Sequence, residues 1–172
     1  MTPRRIAPGR IKLLVLDVDG VLTDGGLLMG AGGDEWKRFH VHDGLALVAA
    51  RRAGLHVAVV SGRTSGAVQR RMAELGVEEV HQGVDDKAAL VQGIIARLGL
   101  SASEVAAMGD DLPDLPVLMM VGLRLAPSDA VGEVRRAAHW ISRRRGGQGA
   151  VREAVEMLLR ARRAWPLRSP RN

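Results

Sequence analysis

The chain contains no cysteine, no tyrosine and a single phenylalanine. Without thiols, neither a disulfide framework nor a thiolate metal site can form, a usage compatible with a reducing cytoplasm. Three Trp and one Phe are too few aromatics for a base-stacking platform, which argues against nucleic-acid recognition. Long apolar runs are also missing. None approaches the roughly 18 residues of a membrane span, and Arg4 and Arg5 precede no apolar segment of the secretory type. Lysine is scarce, with three residues against twenty-two arginines.

What remains is 172 residues, 47% hydrophobic and 26% charged, the composition of one soluble globular domain with a real core. The expected organisation is a single domain over 1–172, with a loose leader over 1–10 and a tail over 164–172. The net charge of +6 is concentrated late, in Arg143-Arg144-Arg145 and in Arg160, Arg162, Arg163, Arg168 and Arg171. These read as a solvated helix face and tail. The competing reading, nucleic-acid binding, predicts affinity that falls steeply with salt.

Lys12 to Leu16 reads as a buried strand ending in a sharp turn at Gly20. Leu27-Leu28-Met29 and Glu35-Trp36-Lys37-Arg38-Phe39, separated by glycines, predict a β-hairpin. Asp43 is expected to cap a helix over Gly44 to Ala50. Strands then alternate with helices: His56 to Val60, Thr64 to Leu75, Glu79 to His81, Asp85 to Leu98, Val105 to Met108, and about Asp114 to Met120. Leu123 and Leu125 mark another strand, Ser128-Asp129 a capped short helix, His139-Trp140-Ile141 a last strand, and Ala150 to Arg163 a long helix. This rhythm predicts an α/β fold, a Rossmann-like and mostly parallel sheet with helices on both faces.

Four chemically complementary groups fall at the carboxyl ends of these strands, where open α/β sheets bind ligands. Asp17 and Asp19 follow the first strand, and Ser61-Gly62-Arg63-Thr64 follows Val60. Lys87 opens a helix, and Gly109-Asp110-Asp111-Leu112-Pro113-Asp114 follows Met108. Acids crowded at such a spot repel unless a cation, a proton or donors hold them. Lys87 is conspicuous because an ammonium in a helix's first turn opposes the macrodipole. Each group also has a plain reading: turns at Asp19-Gly20 and Ser61-Gly62, helix caps at Asp110 and Asp111, a dipole partner at Asp114, and Asp85 or Asp86 paired with Lys87.

These motifs, in this order, resemble those of the haloacid dehalogenase superfamily. The resemblance implies a phosphatase in which Asp17 attacks phosphorus to form an aspartyl-phosphate. Asp19 would act as acid and then base, and Ser61 and Lys87 would hold the phosphoryl group. It further implies Mg²⁺ held by Asp17, the Asp19 backbone carbonyl and Asp110, with Asp111 and Asp114 as supporting acids. Mg²⁺ suits oxygen ligands and offsets repulsion between an anionic nucleophile and a phosphate.

Only 43 residues separate Asp17 from Ser61, and 25 separate Ser61 from Lys87, so neither gap holds a cap domain. A capless fold with a hairpin flap after the first strand leaves the site to be covered by something else, such as a neighbouring subunit. Asp17 to Gly25, Phe39 to Gly44, Ser61 to Arg63, Gly109 to Asp114 and Gly146 to Glu153 together resemble the 3-deoxy-D-manno-octulosonate 8-phosphate phosphatase family, whose product feeds lipopolysaccharide biosynthesis. That resemblance implies a homotetramer with sites at subunit contacts, and a cytoplasmic location is expected. Gly62, Arg63, His42 and Arg152 are the candidates for substrate recognition, their plain readings being a loop residue at His42 and surface solvation at Arg63 and Arg152. Arginine forks bind carboxylate or phosphate bidentately. Two positions depart from the family, which commonly has Arg at His42 and Lys at Gln148. The sugar is therefore open between this octulosonate and a nonulosonate 9-phosphate. A non-catalytic partner domain for a sugar-activating cytidylyltransferase is the non-enzymatic alternative.

Overall fold

The runs Leu13–Leu16, His56–Val60 and Val105–Met108 are apolar almost throughout, which suits strands covered on both faces. The computed structural model describes residues 7–165. In it, β1 (Leu13–Leu16), β4 (His56–Val60), β5 (Glu79–His81), β6 (Val105–Met108), β7 (Leu123–Ala126) and β8 (Trp140–Ile141) form one parallel sheet. The order is β5-β4-β1-β6-β7-β8, so the chain steps outward from β1 in both directions. The crevice at that reversal lies over the carboxyl end of β1.

Alternation along the central strands divides the core. Leu14 and Leu16, with Val57, Val59, Ala106 and Met108, join one cluster. It is completed by α1 (Val41–Arg52), α2 (Gly66–Glu74) and α6 (Ala150–Ala161). Leu13 and Val15, with Ala58, Val60, Val105 and Ala107, face α3 (Lys87–Arg97), α4 (Leu115–Met120) and α5 (Gly132–Ala137). On α6 the buried positions Ala150, Val151, Ala154, Val155, Leu158 and Leu159 recur at helical spacing and seal the first face.

The expected hairpin forms as β2 (Leu28–Met29) paired antiparallel with β3 (Glu35–Trp36). It stands apart from the main sheet, with Leu28, Met29 and Trp36 each more than half exposed.

Several boundaries differ from expectation. The helix predicted to begin at Gly44 begins at Val41, and Asp43 does not cap it. Its carboxylate reaches instead to the N-terminus of α6. Ser128-Asp129 likewise caps no helix; Asp129 accepts from the Gly146 N–H at 2.9 Å and the Arg145 Nε at 3.1 Å. In α3 the first helical residue is Lys87, because the Asp86 carboxylate caps it by accepting the Ala89 N–H at 2.9 Å. The leader is not loose as far as Arg10: Pro8–Arg10 is a 3₁₀ turn packed on α6, followed by buried Ile11. At the other end, Ala164 and Trp165 pack on the core. The remainder of the expected leader and tail lies outside the described residues.

Candidate active site

Pairing beyond β1 continues for one residue, as the Asp17 N–H donates to the Met108 carbonyl at 3.1 Å. The chain then folds back on the Val18 carbonyl, which accepts the N–H groups of Val21, Leu22 and Thr23 at 3.3, 2.9 and 3.0 Å. This tight loop requires Gly20, whose φ is +88°. A Cβ there would also lie 2.0 Å from Asp110 Oδ2, so the missing side chain lets the Asp110 carboxylate settle against the loop.

Lys87 ties two of the acids together. Its Nζ donates to Asp17 Oδ1 and to Asp114 Oδ1, both at 2.7 Å, and all three side chains are nearly buried. Asp114 Oδ2 in turn accepts the N–H groups of Asp110 at 2.9 Å and Asp111 at 3.4 Å. Asp85 and Asp86 are therefore not what Lys87 serves. Burial raises the Asp17 carboxyl to about 6, helped by the Asp114 charge and opposed by Lys87. Asp110 is pushed up to about 8, first by burial and then by the charges of Asp17, Asp114 and Asp111. For Lys87, burial favours the neutral amine, but the two carboxylates outweigh it and the net shift is upward.

One oxygen from each of Asp17, Asp110 and Asp114 lies within 4.8 Å of the others. Hard carboxylate oxygens at this separation, among acids whose mutual repulsion a cation would relieve, fit a Mg²⁺-sized ion. Asp17 and Asp110 are thus brought together as expected, and Asp114 supports them through Lys87 and the Asp110 N–H. The Asp111 side chain performs the plain task, capping the turn by accepting the Leu112 N–H at 2.7 Å.

Asp17, Asp19, Ser61, Gly62, Arg63, Lys87 and Asp110 line one cavity of about 350 Å³. Ser61 is buried, and its Oγ accepts the Arg63 N–H at 3.1 Å. A larger groove, about 540 Å³, lies at the other end of the strands around Leu13, His56 and Arg97, and holds none of these groups. His42 and Arg152 lie elsewhere, in a cavity of about 460 Å³ shared with His40 and Gln148. There Arg152 pairs with Glu156 at 2.5 Å and stacks on Trp165, 4.6 Å from the ring centroid. Within one protomer these two expected substrate ligands do not join the carboxylates.

The sequence reading missed Lys37, Glu35 and Thr23. Lys37 Nζ donates to Asp19 Oδ1 at 2.5 Å and lies 3.1 Å from Glu35 Oε1. Thr23 Oγ1 also approaches Asp19 Oδ1, at 3.4 Å. The signal was available, since the scarcity that singles out Lys87 applies equally to Lys37.

A family model described as haloacid dehalogenase-like hydrolase matches residues 77–153. The 3-deoxy-D-manno-octulosonate 8-phosphate phosphatase of Escherichia coli strain K12 is 41% identical over 151 residues, spanning 88% of this chain and 80% of that protein. The Moraxella catarrhalis enzyme of the same name, solved with magnesium ion, phosphate ion and KDO, superposes with a TM-score of 0.90 at 38% identity, covering 92% and 91% of the two chains. A cobalt-bound counterpart from Haemophilus influenzae gives 0.89 at 37% identity, covering 93% and 95%.

Proposed function

The chain belongs to the 3-deoxy-D-manno-octulosonate 8-phosphate phosphatases of the haloacid dehalogenase-like hydrolases, and from that membership we propose how its own residues divide the reaction. It is a Mg²⁺-dependent phosphatase that hydrolyses 3-deoxy-D-manno-octulosonate 8-phosphate. The carrying observation is the convergence of Asp17, Asp110 and Asp114 on one point, with Lys87 clamping two of them.

Asp17 is the nucleophile: its carboxylate forms a bond to phosphorus as the phosphorus–sugar oxygen bond breaks. Asp19 gives its proton to the departing sugar oxygen, so the leaving group need not carry a full negative charge. Asp19 then takes a proton from water, which attacks the aspartyl-phosphate and releases Asp17 and inorganic phosphate. Lys87, Ser61 and the amide of Gly62 hold the phosphoryl oxygens, while the Arg63 N–H stays on Ser61 Oγ. Asp17, Asp110 and the Asp19 backbone carbonyl would hold Mg²⁺, which would supply the charge neutralisation that lets two anions meet. Asp111 and Asp114 support this set.

The octulosonate reading is favoured over the nonulosonate one because relatives 41% and 38% identical carry that sugar in their names. Convergence of all the motif acids favours catalysis over a partner-binding role. We assign a single catalytic domain built on one sheet, working as a cytoplasmic homotetramer. The exposed apolar hairpin supports assembly, as does the separation of His42 and Arg152 from the carboxylates, which a neighbouring subunit would overcome. Among the described residues no helix is long and apolar enough to cross a membrane.

The test is phosphate release from 3-deoxy-D-manno-octulosonate 8-phosphate with Mg²⁺, comparing native protein with Asp17→Asn. Loss on the order of 10³-fold or more is expected. Equal release from both proteins rejects the mechanism, and faster turnover of a nonulosonate 9-phosphate reassigns the sugar.

A further inference from the structure

We infer that Lys37, carried into the site by the β2–β3 hairpin, is a positioning residue that dictates which oxygen of Asp19 handles the proton. The inference rests on the acid–base role proposed for Asp19 above. The Lys37 side chain is 1% exposed, although it follows a strand whose Trp36 is more than half exposed. The hairpin thus buries a charged side chain while leaving an apolar one outside, the reverse of what burial alone would select. Such an ammonium needs an acceptor and counter-charge, and it has both: it donates to Asp19 Oδ1 at 2.5 Å and lies 3.1 Å from Glu35 Oε1, a charge contact without a hydrogen bond. The other Glu35 oxygen, Oε2, accepts from Arg63 at 2.5 Å, tying the hairpin to the loop after β4.

Asp19 is therefore asymmetric. Oδ1 takes both side-chain donors, Lys37 and the more distant Thr23. Oδ2 is buried with no hydrogen-bond partner, and Arg63 Nε lies 3.7 Å from it. A buried acceptor left open is costly unless another step fills it. Lys37 pins Oδ1, which fixes the carboxyl plane and leaves Oδ2 to carry the proton. In the first step the phosphorus–sugar oxygen bond breaks, the Asp19 Oδ2–H proton passes to the sugar oxygen, and Lys37 stays charged on Oδ1. In the second, Oδ2 takes the proton back from water. The Glu35 carboxylate, 3.1 Å from the ammonium, adds a second charge contact that favours this position of Lys37.

A purely structural tether would lower all activities together, whereas a positioning role depends on how much the leaving group needs a proton. The experiment compares kcat/KM of native protein, Lys37→Met and Lys37→Gln on 3-deoxy-D-manno-octulosonate 8-phosphate and on p-nitrophenyl phosphate, with Mg²⁺. The sugar alkoxide is a poor leaving group and p-nitrophenolate a good one. Lys37→Met should lose about 100-fold on the sugar phosphate but less than about 5-fold on the aryl ester, within the range of general-acid effects. Equal losses on both esters, or none, overturn the inference. Should Lys37→Met fail to fold, Lys37→Gln, which keeps a neutral donor, carries the same ratio and decides it by the same criterion. Native protein active on the aryl ester but not on this sugar phosphate would sink the sugar assignment alone, and another alkyl phosphate then supplies the ratio. Native protein inactive on both esters rejects the catalytic reading itself.

Discussion

The Arg152 N–H donates to the Asp43 carboxylate at 2.7 Å, and the Gly149 N–H donates to its other oxygen at 3.1 Å. A side chain in the first turn of α1 thereby caps α6, whose own N-cap position is Gly149 and offers no side chain. Asp43 is 1% exposed, so both bonds are made away from water. Asp43→Ala leaves two N–H donors at a buried helix start without their acceptor and should cost about 2–4 kcal/mol, at the upper end of capping and charged hydrogen-bond effects. Urea unfolding of the two proteins with Mg²⁺ checks this, and a loss within experimental error would refute the cap.

Asp110 predicts a coupling between pH and metal. The folded, metal-free protein holds this carboxyl at about 8, against an ordinary 3.8. Between those values the fold keeps a proton that the unfolded chain has released, so this group's contribution to stability falls as pH rises across the window. A cation must displace that proton, and affinity should climb up to about tenfold per pH unit until Asp110 is ionised. Thermal melts with and without Mg²⁺ should give a larger rise in Tm at about pH 8.5 than at about pH 6. The opposite order would contradict it.

Lys87 is the common partner of Asp17 and Asp114, and both would be left buried without their counter-charge by Lys87→Ala. Breaking a buried ionic cluster in this way costs about 3–5 kcal/mol. Added Mg²⁺ should recover part of that stability by replacing the lost charge, while turnover stays down by about 10²–10³-fold because the phosphoryl donor is gone. Paired measurements of Tm and phosphate release separate the two effects. Full recovery of turnover by Mg²⁺ would show that Lys87 serves only to balance charge.

Gly20 gives a sharper structural test. With φ at +88° and an added Cβ 2.0 Å from Asp110 Oδ2, Gly20→Ala strains the loop and expels the carboxylate. The backbone strain alone costs about 1–2 kcal/mol. The metal-dependent rise in Tm should shrink with it, since Asp110 is displaced. An unchanged metal response would place the cation away from Asp110.

Much of the architecture was legible because β1, β4 and β6 are short apolar runs, buried almost throughout and bounded by turn residues, as interior strands are. Their carboxyl ends locate the site without further information, which is why Asp17, Lys87 and Asp110 could be named together. Helix starts were less legible. Asp43 and Asp129 look like caps for the residues that follow them, but both serve backbone far away in sequence. Local spacing carries no record of such long-range use. Lys37 was hidden for a related reason: it sits in a segment whose exposed Trp36 draws attention to an interface, while its charge turns inward to Asp19.

The hairpin also bears on assembly. Leu28, Met29 and Trp36 are 60%, 64% and 57% exposed, grouped on two paired strands where water contact is unfavourable. The cavity holding His42 and Arg152 is separate from that of the carboxylates within one chain. If a second copy closes the site through the hairpin, Leu28→Glu should weaken association by placing a charge in an apolar contact. Light scattering should then show a smaller particle, and kcat/KM for the sugar phosphate should fall about 10-fold or more, as remote binding energy is lost. The aryl ester, with no sugar acid to recognise, should be nearly unaffected. Dissociation with sugar-phosphate turnover intact would mean that each protomer recognises its substrate alone, using Arg63 as the nearest guanidinium.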